Sequence, residues 1–470
     1  MMTRTPTRKF LLSAGALALA AAPALAQAQK ETPPAGGPAK AFTVPAHETY
    51  ALPNGLEVTL VPYGNIPKVS VDLTLRTGGV NEPAGLRGIA DFTTDLLKEG
   101  TTTLSSQALA EATARMGSSL GAGADDDETI LRLDVLSENG PDAVKLLADV
   151  LQHPLLPESE LARLKSNAVR QITLAKSQPG TIAAERFSKL LYGDHPYGSV
   201  IPTEENINKI SIDDVRKFYA ANYGAARSHL YIAGKFDSAA VKRAIAESFT
   251  GWAKGPSIVE NAPMPKAQRV LDVTDRPGAP QSTIYVGLPV PGTTSPDNIA
   301  LTVTNSLLGG SFASRITANI REQKGYTYSP HSVVSRRYHD AYWAEVADVT
   351  TAVTGPSLKE IFGEIGRLQA EAPAAAELQG IQSYLSGIFV VQNSTRQALI
   401  GQLQFVDLQG LGEDYLKTYV QKINAVTPAD VQRIAKQYLK PDEMAIVVVG
   451  DKAKITEQLA PFAPATPASK

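Results

Sequence analysis

The sequence repeats itself at a fixed interval, and that interval limits the folds open to it. Ser211-Ile212-Asp213-Asp214-Val215 reads as the start of a helix, and a strand ending Tyr231-Ile232-Ala233-Gly234 follows. Thr427-Pro428-Ala429-Asp430-Val431 opens another helix, with Val447-Val448-Val449-Gly450 after it. Val215 and Val431 lie 216 positions apart, as do Gly234 and Gly450. Register kept at both ends of the unit marks two copies of one module. Each copy carries strands followed by runs of helix. The pattern predicts an α+β fold: two homologous α+β sandwich domains in tandem, each an antiparallel-rich sheet with helices on one face.

The local signals fill in this frame. Asn54-Gly55 sits between strand patterns at 49–52 and 56–62, as a hairpin turn would. Further strands are expected at 69–75, 130–136, 281–288 and 341–349, and helices at 85–97, 106–116, 142–151, 158–177, 298–308, 313–324 and along 356–438. At 130–136 the alternation leaves open whether Ile130, Arg132 and Asp134 or Leu131, Leu133 and Val135 face the core. The boundaries are read as 1–26 signal peptide, 27–45 flexible spacer, 46–253 first domain, 254–266 linker, 267–460 second domain and 461–470 flexible tail. The linker is Pro- and Gly-bearing, and the spacer is rich in Gln, Pro, Gly and Ala.

The signal peptide rests on Arg4, Arg8 and Lys9 before an apolar run, Phe10 to Ala22, and on Pro23-Ala24-Leu25-Ala26, a small-x-small cleavage pattern. Cleavage after Ala26 would give an exported protein with no membrane span, periplasmic if the source is Gram-negative. A net charge of −2 argues against a nucleic-acid partner held by bulk charge. The chain has no cysteine, which removes disulfides, thiolate metal sites and cysteine nucleophiles. No two of its six histidines (His47, His153, His195, His229, His331 and His339) are four apart, and each is assigned a structural or surface role. Asp125-Asp126-Asp127-Glu128 reads as a solvated acidic turn before a strand.

Three stretches carry a resemblance: Arg76 to Ala90 (RTGGVNEPAGLRGIA), Asp194 to Gly198 (DHPYG) continuing to Gly234, and Leu307 to Arg315 (LLGGSFASR). In type and order they resemble the pitrilysin/insulinase family of zinc peptidases. The family's zinc helix carries H-x-x-E-H, two histidine ligands and a glutamate base. Here the same positions read Asp91-Phe92-Thr93-Thr94-Asp95. The resemblance puts Asp91 and Asp95 at the histidine positions, Thr94 at the base and Gln171 at the third ligand. Two aspartates and a glutamine offer hard oxygens, suited weakly to Ca²⁺ or Mg²⁺ and poorly to Zn²⁺. Threonine cannot serve as a general base near neutral pH. No cofactor is therefore expected on this chain.

The second copy keeps another family feature, an Arg and a Tyr after a glycine loop, here Arg321 and Tyr328 beyond Gly309-Gly310. Gly325 should stop the helix bearing Arg321. In two-chain family members one subunit has the zinc motif and the other this pair. The resemblance implies a non-catalytic subunit, inactive alone. Its Arg321 and Tyr328 would hold a peptide beside zinc on a homologous H-x-x-E-H partner in a heterodimer. The rival readings are a non-peptidase scaffold or core-type subunit, and a peptide-binding homodimer.

Overall fold

A computed structural model describes residues 42–412 and 414–464; the signal peptide, most of the spacer and the end of the tail lie outside the described residues. The first half contributes strands β1 (Glu48–Ala51), β2 (Glu57–Pro62), β3 (Lys68–Leu75), β4 (Gly121–Ala124), β5 (Thr129–Leu136) and β6 (Ser228–Gly234). Its helices are α1 (Ile89–Leu97), α2 (Ser106–Arg115), α3 (Gly140–Gln152), α4 (Glu158–Ser177), α5 (Pro179–Tyr192), α6 (Glu204–Lys209), α7 (Ile212–Asn222) and α8 (Ser238–Phe249). The second half contributes β7 (Val270–Asp275), β8 (Gln281–Val290), β9 (His331–Arg337), β10 (Asp340–Thr350) and β11 (Ala445–Gly450). Its helices are α9 (Asn298–Asn305), α10 (Thr354–Ala370), α11 (Ala375–Gln392), α12 (Arg396–Leu408), α13 (Asp414–Ala425), α14 (Pro428–Tyr438) and α15 (Lys452–Leu459).

The strands form two sheets, ordered β1-β2-β6-β3-β5-β4 and β7-β11-β8-β10-β9. Both are mainly antiparallel, with one parallel pair each, β2–β6 and β7–β11. The repeat is visible in these elements. Ser211 and Thr427 cap α7 and α14 in the same way, each side chain accepting from the backbone N–H of an aspartate three residues on. The two capped helices lead into β6 and β11.

On one face, each sheet packs against helices of its own half. Leu131, Leu133 and Val135 of β5 join Val69, Val71 and Leu73 of β3 in that core, which settles the facing of β5. The other face of each sheet is covered by a helix from the opposite half. Phe187 and Leu191 of α5 pack on Tyr285, Tyr342, Ala445 and Val447 of the second sheet. Phe187 sits 4.6 Å from the Tyr285 ring and 5.4 Å from Tyr342. Gly287 makes room for it, because a Cβ there would meet Phe187 Cζ at 2.8 Å. In return Leu399, Ile400 and Leu403 of α12 pack on Val61, Tyr231 and Ala233 of the first sheet. Tyr192 and Leu408, which end α5 and α12, are themselves 216 residues apart, so the exchange follows the duplication.

Polar contacts fix where α12 lands. The amides of Gln397 and Gln404 donate to Asp72 Oδ2 (2.6 Å) and Thr74 Oγ1 (2.8 Å) on β3. Both strand groups are buried, and without those donors they would lose their partners across the seam at a cost.

Some expected bounds shift. The helix expected at 85–97 begins only at Ile89, because Gly85 and Gly88 take positive φ (81° and 98°) and hold the preceding residues in a turn. The helices expected at 298–308 and 313–324 are α9 running into a wide turn at Ser306–Gly310, then a wide helical segment at Thr317–Gln323. Among the described residues no helix is long and apolar enough to cross a membrane.

Truncating Phe187, which is fully buried between the halves, tests the exchange. F187A should cost about 3–5 kcal/mol in urea unfolding. L174A, on an exposed face of α4, should change stability by less than about 0.5 kcal/mol.

Candidate functional site

Helix α1 is held at its start by Glu82, whose Oε1 accepts from the backbone N–H of Gly88 (2.9 Å) and Ala90 (3.0 Å). This satisfies donors that a helix N-terminus otherwise leaves unpaired. Asp91 and Asp95 follow on one face, as their spacing requires. Asp95 pairs with Lys98 Nζ at 2.7 Å. Thr94 is buried, and its hydroxyl donates to the Ala90 carbonyl inside the helix (2.8 Å). Gln171 is exposed on α4. Asp91 faces solvent within a recess of about 260 Å³, shared with Glu82, Arg87, Asp125 and Asp126. The surrounding protein, then the neighbouring Asp95, pushes its carboxyl up to about 6.

This donor set does not fit zinc. It contains no imidazole, one carboxylate is taken by a lysine, and the threonine hydroxyl is committed to its own helix. The position of the base is likewise filled by a group that accepts no proton.

The acidic turn beside the recess is not the solvated turn expected from sequence. Asp125 Oδ1 accepts from the N–H of Asp127 (2.8 Å) and Glu128 (2.7 Å), fixing the turn locally. Asp126 accepts from Arg87 Nη2 (2.8 Å) on one oxygen and from Arg337 of the second half on the other. Asp127 accepts from the Tyr197 hydroxyl and, at 3.3 Å, from the Tyr338 N–H. The Arg337 guanidinium lies 4.6 Å from the centre of the Tyr197 ring, a cation–π contact. The turn is thus where the second half docks. The sequence does not disclose this, because Arg337 stands 211 residues from Asp126. Burial pushes Glu82 up to about 7 against the pull of Arg87, and burial then Asp125 pushes Glu128 up to about 8.

Arg321 and Tyr328 come together beyond the second half's glycine loop. Gly309 packs where a Cβ would meet Glu345 Oε2 and Ser332 Oγ at 2.5 Å, so the loop lies tightly on β9 and β10. Gly325 takes φ 64° and ends the helical segment, its N–H donating to the Arg321 carbonyl (3.1 Å). The chain then turns so that Tyr328 returns over Arg321, with the guanidinium 5.0 Å from its ring centre. Glu322 Oε1 is 3.2 Å from the Arg321 Nε, and the Phe312 ring centre lies 4.3 Å from the same guanidinium. The sequence reading singled out the Arg and the Tyr and missed this third member. Its signal was a large aromatic directly after Gly-Gly-Ser, where a loop would normally be polar. Phe312 and Tyr328 are 71 % and 78 % exposed, so the clamp around Arg321 is open to a ligand. An apolar hollow of about 410 Å³, lined by Leu307, Phe312, Ile381 and Tyr384, adjoins it.

Comparison with known proteins agrees with both halves. Residues 59–203 match the family described as insulinase (peptidase family M16), and residues 209–385 match the peptidase M16 inactive domain. The chain is 25 % identical over 406 residues to the uncharacterized zinc protease YmxG of Bacillus subtilis, covering 84 % of this chain and 96 % of that protein. It is 23 % identical over 411 residues to the uncharacterized zinc protease SCO5738 of Streptomyces coelicolor, covering 85 % and 89 %. A crystal structure of a peptidase M16 inactive domain from Pseudomonas fluorescens superposes with a TM-score of 0.78 at 24 % identity, over 86 % of this chain and 98 % of that one. A protease from Helicobacter pylori gives 0.79 at 21 %, over 87 % and 100 %.

The buried Glu128 carboxyl gives the site a signature in pH. Its folded value lies above the ordinary one, so its contribution to stability is complete below about 4.5 and is lost as pH rises through about 8. The wild type should therefore lose stability to urea between pH 5 and pH 8.5, and Glu128→Gln should make that decline shallower, most of all between pH 7 and pH 8.5, with Glu82 and Asp91 accounting for what remains. An equal decline in both proteins would assign the effect to other groups.

Proposed function

Since this chain belongs to the insulinase (M16) peptidase family yet has no zinc-fitting residues on α1, we propose that it is the non-catalytic subunit of a heterodimeric zinc peptidase. The observation that carries the proposal is the contrast between its two family features. Asp91, Thr94, Asp95 and Gln171 are all unsuited to metal-assisted hydrolysis. Arg321 is kept in an open aromatic clamp with Tyr328 and Phe312.

The chemistry follows from these groups. The Arg321 guanidinium lies against two rings with its Nε paired to Glu322 Oε1 (3.2 Å), and its remaining N–H donors can serve a peptide carbonyl or carboxylate. The Tyr328 hydroxyl can donate to the oxyanion that forms when the carbonyl is attacked, an interaction stronger in the transition state than in the ground state. The zinc and the general base belong to the partner, a homologous subunit with an intact H-x-x-E-H. An extended peptide has an edge to pair with. β4 ends the first sheet beside α1, and its Gly121-Ala122-Gly123-Ala124 sequence leaves its outer backbone groups approachable. The signal-like N-terminus supports export, to the periplasm in a Gram-negative source, for chain and partner alike.

Reconstitution with an H-x-x-E-H homologue encoded in the same genome tests this reading. Arg321→Ala should lower kcat about 100-fold with the complex intact by size-exclusion chromatography, and Tyr328→Phe should lower it in the same direction. Unchanged turnover in both variants would favour the scaffold reading. The chain alone should cleave no peptide in a chelator-sensitive manner, and such cleavage would refute the division of labour.

A further inference from the structure

A second polar cluster lies in the seam between the halves. Glu57 and His229 are partners across the parallel β2–β6 pair, and α12 brings Asp407 to them from the second half. Nδ1 of His229 lies 3.1 Å from Asp407 Oδ2 and 3.3 Å from Glu57 Oε2. One donor atom from each of the three residues falls within 4.8 Å of the others. With Nδ1 protonated the ring donates to Asp407 Oδ2; with Nδ1 unprotonated, a ring nitrogen and two carboxylate oxygens converge as ligands would on a cation.

The groups around the cluster are organised as they are around metal ligands. His229 Nε2 is 2.8 Å from Thr59 Oγ1, which is 2.9 Å from Thr49 Oγ1. The Tyr231 hydroxyl donates to Asp407 Oδ2 (3.0 Å), and its ring stacks on the imidazole at 3.9 Å. Contacts of this kind fix the tautomer and orientation of a ligating histidine and the direction of a ligating carboxylate. A tetrahedral zinc ion with bonds of about 2.0–2.2 Å places neighbouring ligand atoms roughly 3.3–3.6 Å apart. The two spacings about Nδ1 lie within a few tenths of an ångström of that range. Glu57 and Asp407 are about half exposed (54 % and 44 % of their side chains), so an ion can reach the cluster from solvent.

We propose that Glu57, His229 and Asp407 form a zinc site that staples α12 of the second half to the first sheet. One imidazole and two carboxylates, with a water completing the shell, are a donor set that zinc accepts. Its role is structural: it ties down the lent helix at the end of its packed face. This replaces the expectation that the chain carries no metal of its own and that His229 is a plain structural residue.

The test uses the tag-free full chain, stripped with chelator and dialysed against micromolar Zn²⁺. One zinc per chain should remain, and the melting temperature should rise with zinc and fall with chelator. Glu57→Gln and His229→Gln should each weaken zinc binding at least 10-fold, with folding checked by circular dichroism. The double variant Asp91→Asn with Asp95→Asn should bind as the wild type does. Zinc below stoichiometry in the wild type, or zinc kept in E57Q and lost in the α1 double variant, overturns the proposal. A melting temperature that follows pH but no added metal would make the cluster a proton site and would equally overturn it. None of these readouts depends on peptidase activity, so the staple can fail while the half-enzyme reading stands.

Discussion

The structure depends on an exchange of helices. A sheet with one face on its own helices still has a second face to cover, and here each half covers the other's. Phe187 and Leu191 of α5 do this for the second sheet, and Leu399, Ile400 and Leu403 of α12 do it for the first. The hydrophobic burial holding the two halves together is therefore the same burial that completes each sheet. The polar contacts at the seam, from Gln397 and Gln404 to β3 and from Arg337 to Asp126, fix register on top of that burial.

The recess at α1 and the clamp at Arg321 surround their polar groups differently. At α1 most polar groups are taken up in structural contacts, while Asp91 faces the recess. Asp95 neutralises Lys98, Thr94 bonds its own helix, and Glu82 caps the N-terminus. At the clamp the Arg321 guanidinium lies against two exposed rings, Phe312 and Tyr328, with its Nε 3.2 Å from Glu322 Oε1. The two places differ in what surrounds the polar groups: an ion pair and a helix cap at α1, exposed aromatic rings at the clamp.

What could be read from the chain followed from local chemistry or from the repeat. Asn54-Gly55 announced its hairpin, the capping residues Ser211 and Thr427 announced their helices, and the interval of 216 announced the two domains. The late start of α1 was missed because helical periodicity outweighed two glycines whose φ values only the fold reveals. The acidic turn was misread for a different reason. Four adjacent carboxylates look solvated unless their cations are known, and Arg87 and Arg337 come from 39 and 211 residues away. The same distance hides the grouping of Glu57, His229 and Asp407, which no motif spacing could disclose. The facing of β5 was open because Arg132 and Asp134 look solvent-bound, while their face turns toward the seam, where Arg396 reaches Asp134.

The exchange also imposes an order in time. β2 and β6 can pair once residue 234 is available, but the face of β6 bearing Tyr231 and Ala233 has no cover until α12 arrives more than 160 residues later. A chain emerging from its N-terminus must therefore hold a finished sheet with a bare side through most of the synthesis of the second half. Contacts between such distant residues form slowly, and a bare sheet face is a place for wrong partners to bind. The first sheet is thus completed only by residues from the last quarter of the chain. For such a protein the vulnerable period is its assembly, well before any substrate is met.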